Sequence, residues 1–223
     1  ASLGEMSARV AHEIRNPLSV IGGFANRLSS SIETEEKDKS MRYIGILNTE
    51  VERLEGIVEE ILEFSRPRQR LEFEEFNVID VVEDLRILYQ DKIEEKHMLL
   101  EVDIGDETLF GDKRRIKQAL INLLQNAIEA GETYVGVNGY RQDNYYFCEI
   151  KNDGEKITEA VAKNLFSPFF TTKVTGTGLG LPITKKIIEE EHGGKIYVRG
   201  VGDPKVKETV FVVQLPIENR PEG

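Results

Sequence analysis

The apolar residues of this chain change period once, and that change divides it. From the start they fall at Leu3, Val10, Pro17 and Phe24, with Ile14, Ile21 and Leu28 in a matching second series, a heptad-like spacing. The stretch Ser29–Glu35 interrupts it with weak helix formers. A second run places Ile44, Leu47, Val51, Leu54, Val58 and Ile61 at alternating spacings of three and four. Two such helices joined by a short loop predict an antiparallel hairpin. One hairpin cannot bury both of its stripes, so two are expected to pair as a four-helix bundle, in a homodimer.

Ser65-Arg66-Pro67 ends that pattern, because proline disfavours the helical conformation in the residue before it. Beyond it, strand-like runs at 71–76, 99–104, 134–137, 145–150, 195–198 and 209–215 alternate with helical runs at 79–96, 115–130 and 182–191. The class expected is α+β: a helical hairpin over residues 1–66, a linker over 67–71, and an α/β sandwich over 72–223. The basic run Arg66–Arg70 reads as the hinge.

Composition narrows what such a chain can do. With 29 Lys and Arg against 40 Asp and Glu, the net charge of −11 argues against nucleic acid, whose phosphates need clustered cations. Cys148 is the only cysteine, so no disulfide framework is possible and a reducing, cytoplasmic setting is expected. No apolar run reaches the ~20 residues that span a bilayer, so this segment is expected to make no membrane contact. The chain begins without Met and inside a helical pattern, which predicts a piece of a longer protein, one that a membrane could anchor elsewhere.

Two motifs carry chemistry. The run His12-Glu13-Ile14-Arg15-Asn16-Pro17-Leu18 sets His12 and Asn16 one turn apart on one helix face. Glu13 is close enough to accept from an imidazole N–H and hold the tautomer with a free nucleophilic nitrogen. Pro17 removes a helical N–H and costs ~3 kcal/mol mid-helix, so an incidental histidine is a poor explanation of the set. Far downstream, Gly176-Thr177-Gly178-Leu179-Gly180-Leu181-Pro182 is a glycine-rich turn running into a helix start, where free N–H groups suit phosphates. Between them, the helix 115–130 is apolar except for Gln118, Asn122, Asn126 and Glu129 on one face. Amide oxygens there suit Mg²⁺, although an inter-helix hydrogen-bond network explains the stripe as well.

Taken in order, these motifs resemble those of two-component sensor histidine kinases, and the resemblance covers nearly the whole chain. His12–Leu18 is similar to the family's H-box, Asn122–Ala127 to its N-box, Ile150–Ile157 to its G1 box, Phe166–Lys173 to its F-box and Gly176–Leu181 to its G2 box. The resemblance implies an ATP-binding domain of the gyrase and Hsp90 type, autophosphorylation of His12, and transfer to an aspartate of a response-regulator receiver domain. It implies that Glu13 orients His12, that Asn16 positions a hydrolytic water, that Asn126 ligates Mg²⁺ and that Asn122 lies near the triphosphate. Gly154, Phe170, Thr172, Lys173, Gly176, Thr177, Gly178, Leu179 and Gly180 are then nucleotide contacts or lid. The adenine contact falls on Asn152, which holds the usual Asp position, or on its neighbour Asp153, with Asn152 favoured because Asp153 points to the other side of an extended chain. Lys156 stands where the family has a second glycine, and Glu129 where many members carry Lys. Two rivals therefore stay open: an enzyme that mainly dephosphorylates its partner through Asn16, and a nucleotide-gated dimeric scaffold. His192 is expected to be structural.

Overall fold

The structure is a computed structural model and describes residues 3–33, 37–65, 70–173, 176–202, 206 and 208–217. They form two compact units, Ala1–Pro67 with Pro168–Leu179, and Arg68–Ser167 with Gly180–Gly223. Of the expected linker, residues 67–69 lie outside the described residues.

The first unit is built on two helices, α1 (Leu3–Glu33) and α2 (Lys37–Ser65), packed along each other. Helix α1 runs through Ser29 and Ser30 to Glu33, so the interruption expected from residue 29 does not begin there; residues 34–36 lie outside the described residues. A few tenths of a kcal/mol of poor propensity per serine are outweighed by continuing a long amphipathic helix against its neighbour. Pro17 is buried within α1, while Asn16 faces solvent and Glu13 is half-buried. Phe24 of α1 meets Tyr43 of α2 with ring centroids 5.6 Å apart, and Ile57 is buried. A row on α2 spaced by seven, Ile44, Val51 and Val58, stays 39%, 43% and 39% exposed. That row is the part of the stripe a single hairpin does not cover.

The second unit is a mixed sheet with helices on one face. Its elements are β1 (Glu74–Asn77), α3 (Val78–Glu95), β2 (Leu99–Ile104), β3 (Thr108–Gly111), α4 (Lys113–Ala130), β4 (Tyr134–Gln142), β5 (Tyr145–Asn152), α5 (Glu159–Ala162), α6 (Gly180–Lys185), β6 (Lys195–Arg199) and β7 (Thr209–Pro216). The five-stranded sheet has the order β2-β4-β5-β7-β6, parallel between β2 and β4 and antiparallel elsewhere; β1 and β3 form a separate pair. Asn77 caps α3 by accepting from the N–H of Ile79, and Asp112 caps α4 by accepting from that of Arg115.

Alternation along β5 sorts its side chains. Tyr146, Cys148, Ile150 and Asn152 are buried, and β5 packs against α4, whose Ala119, Leu120, Leu123, Leu124, Ala127 and Ile128 are buried. On the other face Phe147 stacks on Tyr140 at 5.3 Å, and Glu149 takes both guanidinium nitrogens of Arg199 at 2.7 and 2.8 Å. Helix α6 continues into a single π-helical stretch, Lys186–Glu191, before the turn into β6. Among the described residues no helix is long and apolar enough to cross a membrane.

Candidate functional site

Asn122 stands half-buried on α4, and its amide donates to the carbonyl oxygen of Gly180 at 3.2 Å. The Thr184 hydroxyl donates to the same carbonyl at 2.9 Å and lies 3.5 Å from the Asn122 amide. Two side chains thus fix the first residue of α6. Thr184, fully buried, was missed from sequence; its signal is the spacing of four from Gly180, the back-bonding geometry of a helical threonine. One turn along α4 from Asn122 is Asn126, also half-buried. Beyond the polar stripe expected at Gln118, Asn122, Asn126 and Glu129, Gln125 is also exposed and donates to Glu129 at 2.9 Å, so the polar side of α4 is wider than that stripe.

At the end of β5 the two candidate base-reading residues separate cleanly. Asp153 accepts from the backbone N–H groups of Glu132, Thr133 and Tyr134 at 2.9–3.1 Å and from the Thr133 hydroxyl at 2.5 Å. Partial desolvation pushes its carboxyl up, but those bonds outweigh it and hold the pKa at about 2. Its acceptors are committed to the start of β4. Asn152 is 1% exposed, and its Nδ2 is buried with no hydrogen-bond partner. An orphaned buried amide costs about 1–3 kcal/mol, which a bound group with an acceptor offsets. Gly154 is required nearby, since a Cβ there would stand 1.8 Å from the carbonyl oxygen of Ala130. Of the two, Asn152 is the one that keeps a buried polar atom without a protein partner.

The glycine-rich turn belongs to the first unit and folds upon itself. The N–H of Phe169 donates to the carbonyl of Gly178 at 2.9 Å, and that of Leu179 to the Thr177 hydroxyl at 3.1 Å. Gly178 has φ +67°, and a Cβ on it would lie 2.6 Å from the carbonyl carbon of Phe169. Phe169 itself has φ +64°, strained for a bulky side chain, and its ring meets Phe64 of α2 edge-on at 6.2 Å. The Thr177 hydroxyl donates to Glu60 of α2. Neither Glu60 nor Phe64 stood out in the sequence, because partners more than 100 residues apart leave no local pattern. Phe170, Gly176, Thr177 and Gly178 are half-buried, Leu179 is buried, and Thr172 and Lys173 are exposed. Residues 174 and 175 lie outside the described residues.

His12 lies on α1, and its side chain is outside what is described; Glu13 and Asn16 flank it on the same helix. His192 is structural, as expected. Its Nε2 accepts from the N–H of Asp112 at 3.0 Å, its Nδ1–H donates to the carbonyl of Ile187 at 2.8 Å, and Phe73 stacks on it at 5.4 Å. Beside it the buried Arg115 donates to both carboxylate oxygens of Glu191 at 2.6 and 2.8 Å, a pairing the sequence did not disclose. Among the described residues no three His, Cys, Asp or Glu side chains converge as a metal cage.

Comparison with known proteins places this arrangement. The family model described as "His Kinase A (phospho-acceptor) domain" matches residues 2–70, and that of the "Histidine kinase-, DNA gyrase B-, and HSP90-like ATPase" matches residues 111–219. Sporulation kinase E of Bacillus subtilis (strain 168) is 34% identical over 226 residues, covering 99% of this chain and 29% of its own length. Signal transduction histidine-protein kinase AtoS of Escherichia coli (strain K12) is 32% identical over 229 residues, covering 100% of this chain and 36% of its own length. The chain thus spans about a third of these curated relatives. Among solved structures, the catalytic domain of histidine kinase ThkA is 37% identical with a TM-score of 0.60, covering 66% of this chain and 96% of that one. ThkA in complex with response regulator protein TrrA is 40% identical with a TM-score of 0.78, covering 97% of this chain and 62% of that one. With a phospho-acceptor hairpin at one end and an ATPase-type sandwich at the other, the chain belongs to the histidine kinase family.

Proposed function

We propose that the chain binds MgATP, phosphorylates His12 and passes the phosphoryl group to an aspartate of a response-regulator receiver domain. The observation that carries this is the orphaned amide of Asn152, a buried donor without a protein partner beside a committed Asp153, in a chain whose phospho-acceptor match contains His12. Domain limits follow as residues 1–66 for dimerisation and phosphotransfer, 67–71 for the hinge and 72–223 for nucleotide binding.

Asn152 meets the base, and Asn122 and Thr184 hold Gly180 at the start of α6. The side-chain oxygen of Asn126 is the protein ligand for Mg²⁺, which supplies neutralisation of phosphate charge. Glu13 takes the imidazole N–H proton of His12 and keeps the other ring nitrogen nucleophilic. That nitrogen attacks the γ-phosphorus in line; an N–P bond forms, and the bond to the bridging oxygen breaks with its electron pair going to ADP. The receiver aspartate then displaces the imidazole from phosphorus. The solvent-facing Asn16, one turn from His12, supports a reverse activity in which it positions water to hydrolyse the phosphorylated receiver.

His12→Ala abolishes acid-labile labelling from γ-labelled ATP while leaving ATP affinity within about twofold, since the side chain acts only as acceptor. Retained acid-labile label in that variant overturns the assignment.

A further inference from the structure

The buried amide of Asn152 carries a second consequence, which rests on the proposal that this residue meets the nucleotide base. Its strand neighbours cannot satisfy it. Across the sheet it faces Val135 on β4 and Thr209 on β7. Val135 has no polar side-chain atom, and the Thr209 hydroxyl is spent on the carbonyl of Glu155 at 3.4 Å. Asp153, the nearest carboxylate in sequence, is held by three backbone N–H groups and one hydroxyl on the start of β4. The group left to read a base edge is therefore an amide and not a carboxylate.

That difference changes which bases fit. An ionised carboxylate only accepts, so it selects a purine with an amino group at position 6 and rejects one with a carbonyl there. A carboxamide offers an N–H from one end and a C=O from the other, and a half-turn about its last torsion exchanges them. Asn152 presents Nδ2 as the buried, unpartnered end, the donor that a 6-oxo group accepts from. We propose that Asn152 makes the site tolerant of 6-oxo purine nucleotides, so that GTP and ITP bind alongside ATP. Asn152 is then the residue that sets base selectivity, and it sets it low.

Equilibrium binding of MgATP, MgGTP and MgITP to the full chain and to Asn152→Asp tests this. In the unmodified chain, ITP is expected to bind within about threefold of ATP, because either end of the amide pairs. In Asn152→Asp the ITP-to-ATP ratio of dissociation constants is expected to rise at least about tenfold, with ITP weakened. ITP isolates position 6, and GTP reports whether the 2-amino group is also admitted. A tenfold or larger preference for ATP over ITP in the unmodified chain overturns the inference without any variant, as does an unmoved ratio in a folded Asn152→Asp. Failure of all three nucleotides to bind the unmodified chain overturns the nucleotide site itself. Asn152→Ala, which keeps the site neutral, is expected to weaken ATP and ITP together and leave their ratio within about threefold; a ratio moved beyond that places base selectivity elsewhere and overturns the inference.

Discussion

Both ring nitrogens of His192 are engaged inside the second unit, so its proton balance is coupled to folding. Desolvation lowers its pKa below the ordinary 6.5, with the Ile187 carbonyl, Glu191 and Asp112 opposing. The unfolded chain therefore takes up a proton more readily than the folded one. The stability this neutral imidazole contributes is complete above about 6.5 and is lost as pH falls through the depressed folded value. His192→Gln removes that titration, so its melting temperature is expected to vary less between about pH 7 and pH 5 than that of the unmodified chain. Calorimetry at both pH values checks it, and equal slopes count against the coupling. The sequence disclosed the histidine and its turn but not its partners, because Asp112 lies 80 residues away and Phe73 further still.

At the level of elements, the glycine-rich turn is shaped by one backbone conformation. Gly178 combines a φ of +67° with a Cβ position 2.6 Å from backbone carbon, so alanine there meets both a torsional and a steric penalty. The torsional part alone is ~1–2 kcal/mol. Gly178→Ala is expected to weaken ATP binding about tenfold while the melting temperature of the sheet unit stays put, measured by titration and calorimetry on one sample. An unchanged affinity would mean the turn does not touch the nucleotide. Most elements were legible in the sequence because their periodicity runs long enough: α1, α2, α4 and β2 sit where their apolar spacing placed them, within a residue or two except at the end of α1. The strand β3 and helix α5 escaped it, being four residues each and too short for any period to register. The π-helical stretch 186–191 also gave no sign, since its apolar residues fit an α-helix equally well. The order of the strands depends on which runs meet, and composition does not encode that.

For the molecule as a whole, the bare row on α2 is the feature with the largest consequence. Ile44, Val51 and Val58 repeat every seven residues and remain two-fifths exposed, and Leu18 and Leu62 stand half-exposed on the same hairpin. Burying the remaining two-fifths of each side chain against a second copy yields about two-fifths of the ~1.5–3 kcal/mol of a full burial, roughly 0.6–1.2 kcal/mol per side chain. The double substitution Val51→Glu with Val58→Glu is expected to turn a dimer into a monomer by sedimentation velocity, with nucleotide affinity unchanged. A variant that sediments as a dimer excludes this row as the seam.

Cys148 sits in the core row of β5, 2% exposed, with burial and then Glu149 pushing its thiol pKa up to about 12. It is the chain's only cysteine, and in the folded state it is a poor nucleophile toward alkylating reagents. Maleimide labelling of the folded chain is therefore expected to be slow. A cysteine introduced at exposed Ser19, on the first helix, becomes the single reactive thiol, and spin or fluorophore labels placed there report on the hairpin alone.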